Sequence, residues 1–196
     1  MIDLDKLPQC IKRYFTDVYL FCLHKDPNDT TKPRPLGIPA AIRRLIASHV
    51  ARTLRDMFSS HLLPYNYAVG VPNGSDFVVK AMQLSIEKII DLPQRTNKLP
   101  TSAAVFFDLT NQFNSVSRKE FFNVIKTSFP ELIPLTKLFY HKANTVHHKW
   151  DDGTWRTLLM KEGVSQGCPL SPLFASFVVA PLLEPIDSLL RERAAA

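Results

Sequence analysis

Proline constrains this chain more than any other residue: 15 of its 196 residues are prolines, and most stand between periodic segments rather than within them. Proline locks φ, has no N–H to donate and pushes the residue before it out of the helical region, so a helix or a central strand should stop where one appears. Pro27, Pro33, Pro35, Pro39, Pro64, Pro72, Pro93, Pro100, Pro130 and Pro134 are therefore the expected element boundaries.

The stretches between them carry recognisable periods. Apolar residues recur at 42, 45, 46, 50, 54, 58 and 62, the spacing of one amphipathic helix from Ile42 to Leu63. Arg44, Ser48, Arg52 and Arg55 fall on its other face, which is either a solvated face or a basic surface for nucleic acid. A second helix is expected from Ser75 as N-cap through Phe77, Val78, Ala81, Met82, Leu84, Ile86 and Ile89, stopping before Pro93. A third opens with the capping box Ser117-x-x-Glu120, and a last one runs from Ser171-Pro172 to about Leu190 with kinks at Pro181 and Pro185.

Asp152-Gly153 is a turn signal between Thr145–Trp150 and Thr154–Met160, so a hairpin is expected over about 145–160. It puts Asp151 and Asp152 at the tip and His147 and His148 on a solvated strand. That arrangement argues against a metal site built from them and His141.

Composition narrows the class. Hydrophobic residues make up 45% of the chain, ample for the core of one domain or two intimately packed subdomains. The net charge of +6 favours polyanionic partners. Cys10, Cys22 and Cys168 are odd in number and lack C-x-x-C spacing, which suggests neither a disulfide framework nor a zinc knuckle and suits a reducing compartment. No apolar run of about 18 residues is evident, and the start lacks the form of a secretory signal. A soluble intracellular protein, cytoplasmic or nuclear and without a membrane partner, is expected.

Two segments carry chemistry. Ala103-Ala104-Val105-Phe106-Phe107-Asp108 reads as a buried strand ending in a carboxylate, with Phe113, Asn114, Ser115 and Val116 just beyond. A carboxylate on such a platform can hold a hard divalent cation; equally, a strand-terminal Asp can cap the next turn. Downstream lies Gly163-Val164-Ser165-Gln166-Gly167-Cys168-Pro169-Leu170-Ser171-Pro172.

Four segments in order resemble the fingers and palm of reverse transcriptases, most closely those of non-LTR retrotransposons. Leu23-His24-Lys25-Asp26 with Lys32-Pro33-Arg34-Pro35-Leu36-Gly37-Ile38-Pro39 is similar to the family's fingers segment, Gly70 to Ser75 to its glycine-rich turn, Phe106 to Val116 to its first catalytic motif and Gly163 to Pro172 to its second. Asn114 stands where the family often has Asp, at a position that is not a metal ligand.

The resemblance implies an α+β right-hand polymerase fold: fingers and partial palm, helix-rich, with a small antiparallel sheet and no thumb. Residues 1–100 would supply the fingers and first palm helix and 101–196 the partial palm, as one cooperative unit. It implies that Asp108 and the Leu109 carbonyl bind Mg²⁺ or Mn²⁺ in the complete enzyme and that Lys25 and Arg34 contact the triphosphate of a dNTP. Phe113 would lie beneath the sugar and exclude a 2′-hydroxyl, Gln166 and Gly167 would underlie the base, and Gly74 would approach the backbone of an RNA template or DNA primer. The face of Arg44, Arg52 and Arg55 is the expected contact for an RNA–DNA hybrid.

These are the residue types that phosphoryl transfer demands, since it relies on positioned charge more than on a covalent group. Plain structural readings stand beside them: Lys25 and Arg34 as surface charges, Phe113 as core, Gln166 as a turn residue. The family's third motif, Tyr-x-Asp-Asp or Phe-Ala-Asp-Asp, does not occur in the 196 residues. The expectation is a polymerase fragment truncated before that motif and inactive alone, with a bare sheet edge that lowers solubility. The alternative is a non-catalytic nucleic-acid-binding or scaffold module derived from such an enzyme. Oligomeric state stays open.

Overall fold

The computed structural model describes residues 6–26, 29–96 and 108–195, with the side chains of 24–34, 91–96 and 194–195 outside that description. The expected strand at 103–107, Pro27 and Pro100 also lie outside it.

Helix α1 (Gln9–Thr16) leads into strand β1 (Val18–Asp26), which pairs antiparallel with β2 (Asp29–Pro39) from Val18 opposite Pro39 to His24 opposite Pro33. β1 opens Val-Tyr-Leu-Phe-Cys-Leu, rich in residues that suit a pleated surface. Pro33 and Pro35 sit inside β2 rather than bounding elements, a correction with a simple cause, while Pro39 ends the strand as expected. The strand order is β2-β1-β3-β4, so β2 is an edge strand, where a missing N–H breaks no ladder on the far side.

Strand β3 (Asn144–Lys149) lies parallel to β1, Val18 facing Val146, and forms the expected hairpin with β4 (Trp155–Met160). The sheet is thus mixed rather than antiparallel throughout. At the hairpin tip the Asp152 carboxylate accepts the Thr154 N–H at 2.8 Å and its hydroxyl at 2.6 Å, the turn chemistry read from Asp152-Gly153.

The single helix expected over 42–63 is two, α2 (Ala41–Thr53) and α3 (Arg55–Leu62), broken at Leu54 with φ −101° and ψ 16°. The break gives each helix its own buried face. Arg43 and Ala47, four residues apart, turn inward on α2, and Phe58 and Leu62 do so on α3. Ile42 and Leu45, assigned to the packed stripe by periodicity, are exposed.

Helix α4 (Gly74–Thr96) starts one residue before the expected N-cap and continues through Pro93. After the short α5 (Gln112–Ser115), α6 (Arg118–Ser128) begins where expected, with the Ser117 hydroxyl accepting the Glu120 N–H. A 3₁₀ turn (Pro130–Leu132) starts at a proline and α7 (Ile133–Tyr140) carries Pro134 as its second residue, in each case in a first turn where the missing N–H needs no partner.

Helix α8 (Ser171–Ala195) passes through Pro181 and Pro185, both exposed. An 18-residue window within 171–193 has a mean hydropathy of 1.6, so by length and composition alone the helix is long and apolar enough to cross a membrane, although Glu184 and Asp187 interrupt it. Its first turns are the middle of the core instead. Leu173, Phe174 and Phe177 are buried there; Phe174 stacks on Phe121 at 4.9 Å and Phe177 on Phe129 at 5.1 Å, while Phe58 meets Phe129 edge-on at 5.4 Å. Each such ring removed from water contributes about 1.5–3 kcal/mol, with aromatic pairing adding about 0.5–1.5 kcal/mol. α3, α6, α7 and α8 share this core, and the loops between them carry the candidate site.

Candidate nucleotide site

Asp108 and Leu109 are exposed and lead into a tight turn held by one carbonyl. Asn111 adopts left-handed φ of 53°, which asparagine tolerates better than most residues, and its carbonyl accepts N–H groups from Asn114 at 3.0 Å and Ser115 at 3.1 Å and the Ser115 hydroxyl at 2.9 Å. The turn delivers Phe113 half-buried against the core.

Beyond it the 113–116 segment is joined to the Gly163 segment by two backbone bonds. Gly163 N–H reaches the Val116 carbonyl at 3.0 Å, and Val164 N–H reaches Phe113 at 2.7 Å. Gly163 has φ of 75°, and a Cβ there would run into the Asn114 backbone, so only glycine lets the two segments meet.

Arg118 fixes this junction from below. It is buried, and its guanidinium donates to the carbonyls of Gly163 at 2.9 Å, Lys142 at 3.1 Å and Met160 at 3.2 Å and to Asn144 Oδ1 at 2.7 Å. Asn144 in turn donates to the carbonyls of Thr16 and Phe139, each at 2.8 Å. Burial pulls the Arg118 guanidinium below its ordinary pKa, with Tyr140 and Glu162 opposing the shift. Tyr140 beside it is pushed up by burial.

The following turn reaches the sheet. Gly167 N–H donates to the Gly37 carbonyl of β2 at 2.9 Å, and a Cβ on Gly167 would sit 2.9 Å from that oxygen and 3.2 Å from the Ile38 Cα. Gln166 is half-buried at this crossing, and Ser165 behind it is locked by the Ser171 hydroxyl, which donates to its carbonyl at 2.6 Å.

The structure therefore joins the turn that carries Phe113 to the Gly163–Gly167 segment, and that segment meets β2 through the bond from Gly167 to Gly37, three residues after Arg34. Lys25 lies near the end of β1, in the hairpin that also holds Arg34; both side chains are outside the described residues. Arg44, Arg52 and Arg55 are exposed but divided between α2 and α3, and Arg55 pairs with Asp56 at 3.6 Å. Gly74 does not fit its expected contact with a nucleic-acid backbone: it is buried, with the Tyr67 carbonyl pressed against the place a Cβ would occupy.

Sequence reasoning missed Arg43, Arg118 and Asn144. Arg43 lies over the Phe139 and Tyr140 rings at 4.5 and 4.7 Å and donates to the Phe15 carbonyl at 2.7 Å. One signal was available for Arg118. A cation in the first turn of a helix opposes the helix dipole, so tertiary partners must hold it there.

Asp108 offers one exposed, hard carboxylate. Among the described residues no group of three or more His, Cys, Asp or Glu side chains converges to hold a cation, so these residues alone do not fit a complete divalent-metal site. His147 and His148 are engaged within the sheet region, His147 with Asp17 at 2.9 Å and His148 with the Leu20 carbonyl at 3.0 Å.

No curated protein matches the chain. The family profile described as reverse transcriptase (RNA-dependent DNA polymerase) matches residues 23–192, which takes in the end of β1, all of β2, the Asp108 turn and the Gly163–Gly167 segment, and the chain belongs to that family.

Proposed function

We propose that these 196 residues form the nucleotide-positioning part of a retrotransposon-type RNA-directed DNA polymerase of the non-LTR kind, and that they do not catalyse on their own. The observation that carries this reading is the pair of backbone bonds from Gly163 and Val164 to the 113–116 segment, together with the bond from Gly167 to Gly37. They join the turn that follows Asp108 to the segment with Gln166 and Gly167, and that segment to the strand that carries Arg34, which supports the reading. On this reading a dNTP would be held with Lys25 and Arg34 on the triphosphate, Gln166 and Gly167 under the base and Phe113 against the sugar.

Asp108 and the Leu109 carbonyl would ligate Mg²⁺ or Mn²⁺ only within a set completed by further carboxylates, since two-metal nucleotidyl transfer needs acids that bridge both ions. An RNA template and DNA primer would lie along the exposed arginines of α2 and α3, and binding of the hybrid there would weaken with salt.

Phe113 provides the test. In a chain that also carries the remaining palm carboxylates and a thumb, Phe113→Val opens space for a 2′-hydroxyl, and the ratio of kcat/KM for dNTP over rNTP should fall. A ring that serves only the core would instead lose stability, by about 1–3 kcal/mol, and lower both activities together. An unchanged ratio in a stably folded variant sinks the assignment.

A further inference from the structure

A basic track crosses the protein beside the buried support of the nucleotide site, on lysine side chains to which that site gives no role. Helices α6 and α7 and Lys161 enclose a pocket of about 470 Å³, within the size range of ligand sites. Lys119, Lys126, Lys137, Lys142 and Lys161 stand around it, all exposed, and its lining contains no acid among the described residues. None of the five ammonium groups lies within ion-pairing distance of a carboxylate among the described residues.

The pocket floor is apolar: Phe122 and Ile133 are half-buried and Tyr140 is buried. A second pocket of about 330 Å³ adjoins it and shares Lys137, His141, Lys142 and Ala143, extending the track to Arg13 on α1. Its one acid, Asp17, is paired with His147 at 2.9 Å.

Unpaired like charges held together in this way repel one another, so the track is electrostatically suited to a polyanion. A pocket with an apolar floor and a cationic rim, continued by a second, more polar pocket, fits a polymer that alternates charge with planar apolar groups. An acidic peptide supplies the charge without the planar groups; a nucleotide chain supplies both. A duplex keeps its bases stacked away from such floors.

We propose that this track is a second nucleic-acid surface that takes a single strand of RNA or DNA, phosphates on the lysines and a base against Phe122. It is independent of the polymerase reading, because binding is measured without any primer extension.

Fluorescence anisotropy of a labelled oligouridylate 20-mer with the purified chain tests it. Lys137→Glu, Lys142→Glu and Lys161→Glu combined should weaken binding by about tenfold or more at about 100 mM salt and reduce the log–log salt slope by about 2, about 0.7 for each phosphate no longer neutralised. The charge-matched variant Lys80→Glu, Lys88→Glu and Lys149→Glu, at exposed positions outside both pockets, should stay within about twofold of the parent.

Should the first variant melt below the parent, the same three lysines changed to Gln serve in its place, with the same loss expected in smaller degree. Equal losses in the two charge-reversed variants would show a bulk-charge effect and overturn the proposal, as would no loss in either. Displacement of the labelled strand by polyglutamate as readily as by unlabelled oligouridylate, or tighter binding of the corresponding duplex with the same lysine dependence, would overturn it as well.

Discussion

Val164 donates its backbone N–H to the carbonyl of Phe113 at 2.7 Å, a bond across 51 positions of sequence that joins the aromatic turn after Asp108 to the segment carrying Gln166. Neither residue uses its side chain for it. The site is held by backbone geometry, which makes it sensitive to any change that moves either segment by a fraction of an ångström.

Gly163→Ala is therefore expected to be far more damaging than Gly153→Ala, although both glycines have positive φ, 75° and 79°. At Gly153 nothing lies within 4 Å of an added Cβ, so the cost is the backbone term alone, about 1 kcal/mol. At Gly163 the methyl meets the Asn114 backbone, and a loss above about 2 kcal/mol is expected. Urea unfolding of both variants measures the difference, and equal losses would refute the close-approach argument.

Arg118→Met leaves the carbonyls of Gly163, Lys142 and Met160 and the Asn144 side chain without their donor, at a cost of about 2–4 kcal/mol. Arg118→Lys should recover only a minor share, because an ammonium group cannot reproduce the planar fork. Full recovery by lysine in a denaturation midpoint would show that charge rather than geometry holds the junction.

Tyr140 gives a pH dependence with a definite sign. Burial raises its pKa above the ordinary 10.0, so the folded form keeps its proton where the unfolded chain has lost it. Its contribution is fully present below about pH 10 and is lost as pH rises through the folded value. The melting temperature should fall above that pH, and Tyr140→Phe should flatten the fall. The phenol's contacts with Ser171 Oγ at 3.5 Å and Ser165 N–H at 3.4 Å are long, so near pH 7 the variant should lose no more than about 1 kcal/mol.

No primer extension is expected from these 196 residues with any template, dNTP mixture and Mg²⁺ or Mn²⁺, because Asp108 cannot bridge two ions by itself. Template-dependent incorporation that Asp108→Ala abolishes would contradict this.

The sequence by itself determined the parts whose signals are local. Ser117-x-x-Glu120 started α6 because a cap is satisfied within one turn, Asp152-Gly153 made the hairpin tip for the same reason, and the ordered segments from Lys25 to Gln166 identified the family. Tertiary structure decided what depends on distant partners. Pro33 and Pro35 are tolerated in a strand only because β2 is at an edge, and periodicity could not locate the Leu54 break that turned Arg43 inward and Leu45 outward. Asn144 reads as an ordinary surface residue in sequence and Arg118 signals only by its place in the first turn of α6; carbonyls from 16 to 163 make them the support of the site. A buried polar group is legible only when its partners are known, because burial without them would cost more than the fold can supply.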